Sequence, residues 1–223
     1  FDGSGNTTIP STGSTPAVAQ YNYLKIGGSI QRAGNITLSG LGEIKISKDL
    51  DLSSCTFSGA VSQRFLTENS TVHFNGTGAM QNIPIQPDSP NAQADSVTFL
   101  EYYNLKISGA GRKELFASSG TPTFIVQNTL TLESSTFASA GNNLEVQGNW
   151  VNTGGIFEPG SAGVIFRQAT PLLTNNITSR DIDDNPFYEV LIAGEGIIEP
   201  LDNIYIGSNL KIEADAELKM SSN

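Results

Sequence analysis

One phrase is written three times in this chain, and its spacing limits the fold more than any other feature. It reads Tyr21-Asn22-Tyr23-Leu24-Lys25-Ile26 first, Tyr102-Tyr103-Asn104-Leu105-Lys106-Ile107 second and Phe187-Tyr188-Glu189-Val190-Leu191-Ile192 third. Leu24, Leu105 and Val190 hold the same place in the three copies, and the two intervals between them are nearly equal. A second phrase keeps step with the first. Ile44-Lys45-Ile46-Ser47-Lys48-Asp49-Leu50-Asp51-Leu52 aligns without a gap on 124–132, and that stretch aligns at the same interval on 204–212. A third landmark, Phe1-Asp2-Gly3-Ser4-Gly5, returns as Phe74-Asn75-Gly76-Thr77-Gly78 and, without its glycines, around Phe166. Self-similarity at a fixed period is the mark of a chain built from stacked or strung units.

Within each phrase the apolar residues take alternate places while their neighbours drift among Lys, Asp, Thr, Asn and Gln. That is the period of a strand, whose successive side chains point to opposite faces. The pattern predicts strands at 22–26, 43–46, 49–52, 71–74, 103–107, 123–126, 129–132, 143–147, 163–166, 188–192, 203–206 and 209–212. No window has a helical period, so the chain is expected to be all-β. The copies divide it into the end of a preceding repeat (1–20), a first unit (21–101), a second (102–186) and the opening of a third (187–223). Because it starts and stops inside copies, the chain is read as a slice of a longer protein.

Two architectures fit: tandem immunoglobulin-like β-sandwiches, or a parallel β-solenoid in which each short strand stacks on the next coil. The copies differ in a way that separates them. The interval from Phe137 to Phe166 is much longer than the matching interval from Phe57 to Phe74, and the added text includes 143–150. A sandwich losing such a piece would lose strands from its core, whereas a solenoid coil contacts only its neighbours. A parallel β-helix is therefore expected, right-handed by the general preference of parallel crossovers. At ~4.8 Å per strand, about ten coils would span roughly 45–50 Å.

Composition narrows the partners. The formal net charge is −10 and the isoelectric point about 4.4, which disfavours nucleic acid and anionic lipid. No apolar run reaches the ~20 residues of a membrane-spanning helix. A single cysteine, Cys55, excludes an internal disulfide, and Ser135 takes its place in the next copy, as suits a small packing residue.

The phrases Tyr103-Asn104-Leu105-Lys106-Ile107, Asn128-Thr129-Leu130-Thr131-Leu132, Gly148-Asn149-Trp150-Val151-Asn152-Thr153-Gly154-Gly155 and Val72-His73-Phe74-Asn75-Gly76-Thr77-Gly78 resemble a tandem β-helix repeat family. That family belongs to large secreted and cell-surface proteins of Bacteroidetes-type bacteria. The resemblance implies export, often by the type IX route, and service as a stalk, filament shaft or adhesin, including gliding adhesins. It also implies an extracellular location, with flanking repeats, surface glycans or other surface proteins as partners. The chain departs from the pattern where Arg167-Gln168-Ala169-Thr170 replaces the Asn-Gly-Thr-Gly turn.

Chemistry-bearing residues are sparse. His73, the only histidine, lies between Val72 and Phe74 and is expected to face solvent on its strand. Neither a zinc-ligand spacing nor a Ser-His-Asp set can be assembled, and no catalytic residue or cofactor is expected. Asp181, Asp183 and Asp184 form the densest acidic cluster, a calcium candidate without the spacing of a known calcium loop. Trp150 is read as packing, with sugar stacking as its alternative. Asp95-Ser96-Val97 fits a short bacterial O-glycosylation pattern, which makes Ser96 the modification candidate. A carbohydrate-binding or carbohydrate-cleaving β-helix is the alternative to the shaft reading; it calls for exposed aromatics and clustered acids on a groove. Proline-bearing intervals 6–20, 79–101 and 168–186 are expected to leave the solenoid as loops, with 79–101 the main display element, since proline cannot donate to a ladder.

Overall fold

The computed structural model describes residues 71–84, 102–116, 123–179 and 187–220 in full. For strands Thr7–Pro10, Val18–Lys25, Ile36–Ser39, Glu43–Asp51 and Phe65–Leu66, and for Glu101, it describes the backbone. All regular structure among the described residues is β, and every strand pair is parallel. The chain winds as a β-solenoid. Its longest ladder passes through nine strands: Val18–Lys25, Glu43–Asp51, Thr71–Phe74, Glu101–Ile107, Phe124–Leu132, Leu144–Val146, Gly163–Gln168, Phe187–Gly194 and Ile206–Ile212. Eight gaps of ~4.8 Å make this ladder about 38 Å long, a little short of the expected length.

The repeated phrases turn out to be neighbouring rungs. The Tyr- or Phe-led phrase pairs with the second phrase of its own unit, through Leu24↔Leu50, Leu105↔Leu130 and Val190↔Leu210. Each of the three pairs also carries a register shift at one place: between Tyr21 and Tyr23, opposite Gln127-Asn128, and between Phe187 and Glu189. Copies of a phrase therefore never touch; what recurs once per unit is a two-rung pair with a bulged corner. A bulge bends its strand and leaves a ladder donor unpaired. In the middle copy Asn104 meets that need, its Oδ1 accepting from Thr129 N–H at 3.2 Å and from Asn128 Nδ2 at 2.8 Å.

The length difference between the units is one whole rung. In the first unit Glu43–Asp51 pairs directly with Thr71–Phe74. In the second, a further coil intervenes, and Phe124–Leu132 pairs with Leu144–Val146 and, past the corner, with Trp150–Asn152. Phe124↔Leu144, Leu130↔Trp150 and Phe137↔Phe157 all share one offset, so this coil is a single regular turn with nothing inserted. Gly148 makes its corner possible, because a Cβ there would run into the Asn128 carbonyl.

Alternate residues fill the interior: Phe124, Val126, Leu130 and Leu132 are fully buried, as are Leu105, Ile107, Leu144 and Val146. Two aromatic groups run along the stack. Tyr102 lies between Phe74 and Phe124, with ring centroids 6.2 and 5.3 Å away, and its hydroxyl donates to the Pro84 carbonyl at 2.9 Å. Trp150 packs edge-on against Phe157, Phe166 and Phe187 at 5.0, 6.1 and 5.2 Å. Aromatic pairs at such angles add to the burial of their area.

Three expectations change. The proline-bearing intervals do not leave the solenoid throughout, since they contain strands Thr7–Pro10, the start of Val18–Lys25, Met80–Pro84 and Thr174–Thr178. Pro10 and Pro84 lie on edge strands of their sheets among the described residues, Thr7–Pro10 and Met80–Pro84, where a missing ladder donor is tolerated. Residues 203–205 are not strand, and the last long strand begins at Ile206. Most of the second face was also missed: Arg112–Phe116, Thr136–Ala138 and Ile156–Glu158 stack beside Met80–Pro84 as a separate sheet.

Candidate functional site

His73 is not a solvent-facing residue. It is 4% exposed, and its Nε2 lies 2.6 Å from Ser108 Oγ on the next rung. The strand places His73 in register between Lys45 and Lys106, and Ser108 follows Ile107 at the end of the neighbouring strand. A neutral imidazole can accept the serine proton, so the pair has the elements of a base and a hydroxyl nucleophile. Its position is that of a rung-to-rung tie. Lys106 on the same row pairs with Glu133 at 2.9 Å, and the Ser108 carbonyl accepts from Ser135 Oγ at 3.3 Å.

A second polar group sits where no motif announced one. In the sheet of Met80–Pro84, Arg112–Phe116, Thr136–Ala138 and Ile156–Glu158, one inward column runs Gln81, Lys113, Phe137, Phe157. Lys113 is fully buried, its Nζ donating to the Gly76 carbonyl at 2.8 Å and the Ala110 carbonyl at 2.7 Å. Gln81 completes the knot by accepting from Gly76 N–H at 3.1 Å. Desolvation pushes the Lys113 pKa below that of a free lysine, because two neutral carbonyls replace less than the full hydration of an ammonium. Gly109 crosses the same corner at φ +87°, where a side chain would strike the Asn75 and Gly76 carbonyls. The ammonium therefore closes a turn rather than facing a ligand.

Asparagine and glutamine do similar work further along. Asn152 accepts from Gly154 and Gly155 N–H at 3.2 and 2.9 Å. Asn149 accepts from Asn176 N–H at 2.8 Å, and Asn175 donates to the Gln147 carbonyl at 3.0 Å while accepting from Gln168 Nε2 at 2.6 Å. Several described carboxylates join one coil to another across the surface. Glu145 meets Arg167 and Glu199 meets Lys219, both at 3.1 Å, and Glu158 meets Arg112. Pairs that keep contact with solvent contribute little stability each, but they show where those acids are committed.

Trp150, 1% exposed, belongs to the core and cannot offer a face to a sugar. Among the described residues no group of three or more His, Cys, Asp or Glu could hold a metal ion. Asp181, Asp183, Asp184, Ser96 and Cys55 lie outside the described residues. No family model, curated protein or solved structure matches the chain.

The last rung, Ile206–Ile212, is the third copy of the second phrase, yet Leu210 and Ile212 are each 46% exposed. Their counterparts Leu130 and Leu132 are fully buried. No helix among the described residues is long and apolar enough to cross a membrane.

Proposed function

We propose that this chain is a structural segment of an extracellular bacterial surface protein, a stiff stalk or filament shaft of adhesin type that carries binding elements and performs no catalysis itself. One observation carries the reading: a single parallel ladder continues through nine strands, and a whole coil can be present or absent without breaking it. Such a body resists bending because every coil is bonded to both neighbours, and its length is set by the number of coils. Polar interior residues such as Lys113 and Asn152 close corners, and several of the described acids tie one coil to another. The acidic surface suits solubility outside the cell. The resemblance of the repeated phrases to secreted and cell-surface β-helix repeats supports the location, with flanking repeats and surface glycans or proteins as partners.

The location is tested by treating intact producing cells with a protease and probing for this segment with an antibody. Loss of the segment from intact cells is the expected result. Full protection until the cells are lysed would overturn the surface assignment.

A further inference from the structure

We propose that Asn75 is a latent modification site, held unreactive while its corner of the solenoid is closed and deamidated irreversibly to aspartate and isoaspartate when that corner opens. The inference goes beyond the shaft reading and does not depend on what the shaft carries.

The sequence supplies the reactive pair. Asn75-Gly76 is the only asparagine–glycine step in the chain. An asparagine side-chain amide is open to attack by the backbone nitrogen of the residue that follows it, and glycine, having no Cβ, hinders that attack least. In the step, Gly76 N forms a bond to Asn75 Cγ and loses its proton, while the Cγ–Nδ2 bond breaks and ammonia leaves. Water then opens the resulting five-membered imide at either of its carbonyls, giving aspartate or isoaspartate. No oxidant, metal or cofactor enters the balance.

The structure guards the nucleophile. Gly76 is buried in the corner between Thr71–Phe74 and Met80–Pro84, and its N–H donates to Gln81 Oε1 at 3.1 Å. The proton that the reaction must remove is therefore engaged. The Gly76 carbonyl accepts from Lys113 Nζ at 2.8 Å, so both polar groups of this residue are held, one from its own coil and one from the next. Ser108 N–H holds the Phe74 carbonyl at 3.0 Å, and Gly109 packs so closely that a Cβ there would strike the Asn75 and Gly76 carbonyls. The target amide has no such engagement, since Asn75 Oδ1 is buried without a hydrogen-bond partner. Reactivity then follows local opening of the corner, which frees the Gly76 nitrogen. Isoaspartate lengthens the main chain between two strands fixed in register with the next coil, through Phe74↔Ile107 and Met80↔Arg112. A corner that has opened and reacted does not close again in its original form.

Incubation of the 223-residue chain in mildly alkaline buffer, followed by peptide mapping, provides the test. The map reads the mass gained when Asn75 exchanges its amide NH2 for OH, and it separates aspartate from isoaspartate. Folded wild type is expected to convert at Asn75 about tenfold more slowly than the same chain in urea, or slower still. Gln81→Met keeps the bulk but removes the acceptor, and is expected to move conversion in the folded protein toward the urea rate. Gln81→Glu keeps an oxygen for the Gly76 N–H and is expected to stay slow. Should Gln81→Met lose its β circular dichroism, wild type in sub-denaturing urea takes its place, and conversion is expected to rise in step with hydrogen exchange at Gly76 N–H. Four results would each overturn the proposal: folded wild type converting as fast as the unfolded chain, a folded Gln81→Met no faster than wild type or Gln81→Glu, conversion indifferent to Gly76 exchange, or an unfolded chain that stays intact at Asn75.

Discussion

Replacing Leu130 or Leu132 with aspartate is expected to unfold the middle of the solenoid, while the same change at Thr131 is expected to be tolerated. Leu130 is fully buried between its ladder partners Leu105 and Trp150, and Leu132 between Ile107 and Asn152. Neither row holds a cation that could pair with a carboxylate. Burying an unpaired charge costs several kcal/mol, and a domain has only about 5–15 kcal/mol in total. Thr131 points the other way and is half-buried, with Lys106 beside it in register. A carboxylate there stays in contact with solvent, beside the Lys106–Glu133 pair. Urea denaturation followed by circular dichroism checks the contrast. A Thr131→Asp variant more damaged than Leu130→Asp would mean that the strand faces are reversed.

Trp150→Ala is expected to produce the second largest loss. The indole fills the space between Phe157, Phe166 and Phe187, which belong to the same coil and the two coils that follow it. Large aromatic-to-alanine changes in cores cost about 3–5 kcal/mol, because transfer energy is lost and a cavity remains. For a chain of this size that corresponds to a fall in melting temperature of roughly 6–20 °C. Trp150→Phe should recover most of it, since Nε1 makes no hydrogen bond among the described residues and the ring contact is what matters. Differential scanning calorimetry reads both variants. A Trp150→Ala protein that melts with wild type would place the indole outside the core.

The architecture was legible because the interior is written in apolar residues at period two. Leu24, Leu105 and Val190 mark equivalent rungs, and the added coil around Trp150 showed as extra text between two phenylalanine landmarks. Short strands of the second face were not legible. Thr136–Ala138 and Ile156–Glu158 are too brief to show an alternation. Arg112–Phe116 was hidden because Lys113 holds an inward place. Nothing local distinguishes a lysine that closes a turn through carbonyls of Gly76 and Ala110 from one that faces water. His73 misled for a related reason. The alternation put it on the outer row, and its neighbours in sequence could not show that the position is buried and bonded to Ser108.

Small-angle X-ray scattering of the folded chain tests the central claim most directly, because a stack of coils and a string of sandwich domains differ in shape before they differ in chemistry. The account predicts one continuous particle without a hinge, built on a ladder about 38 Å long. Two beads joined by a hinge would contradict it.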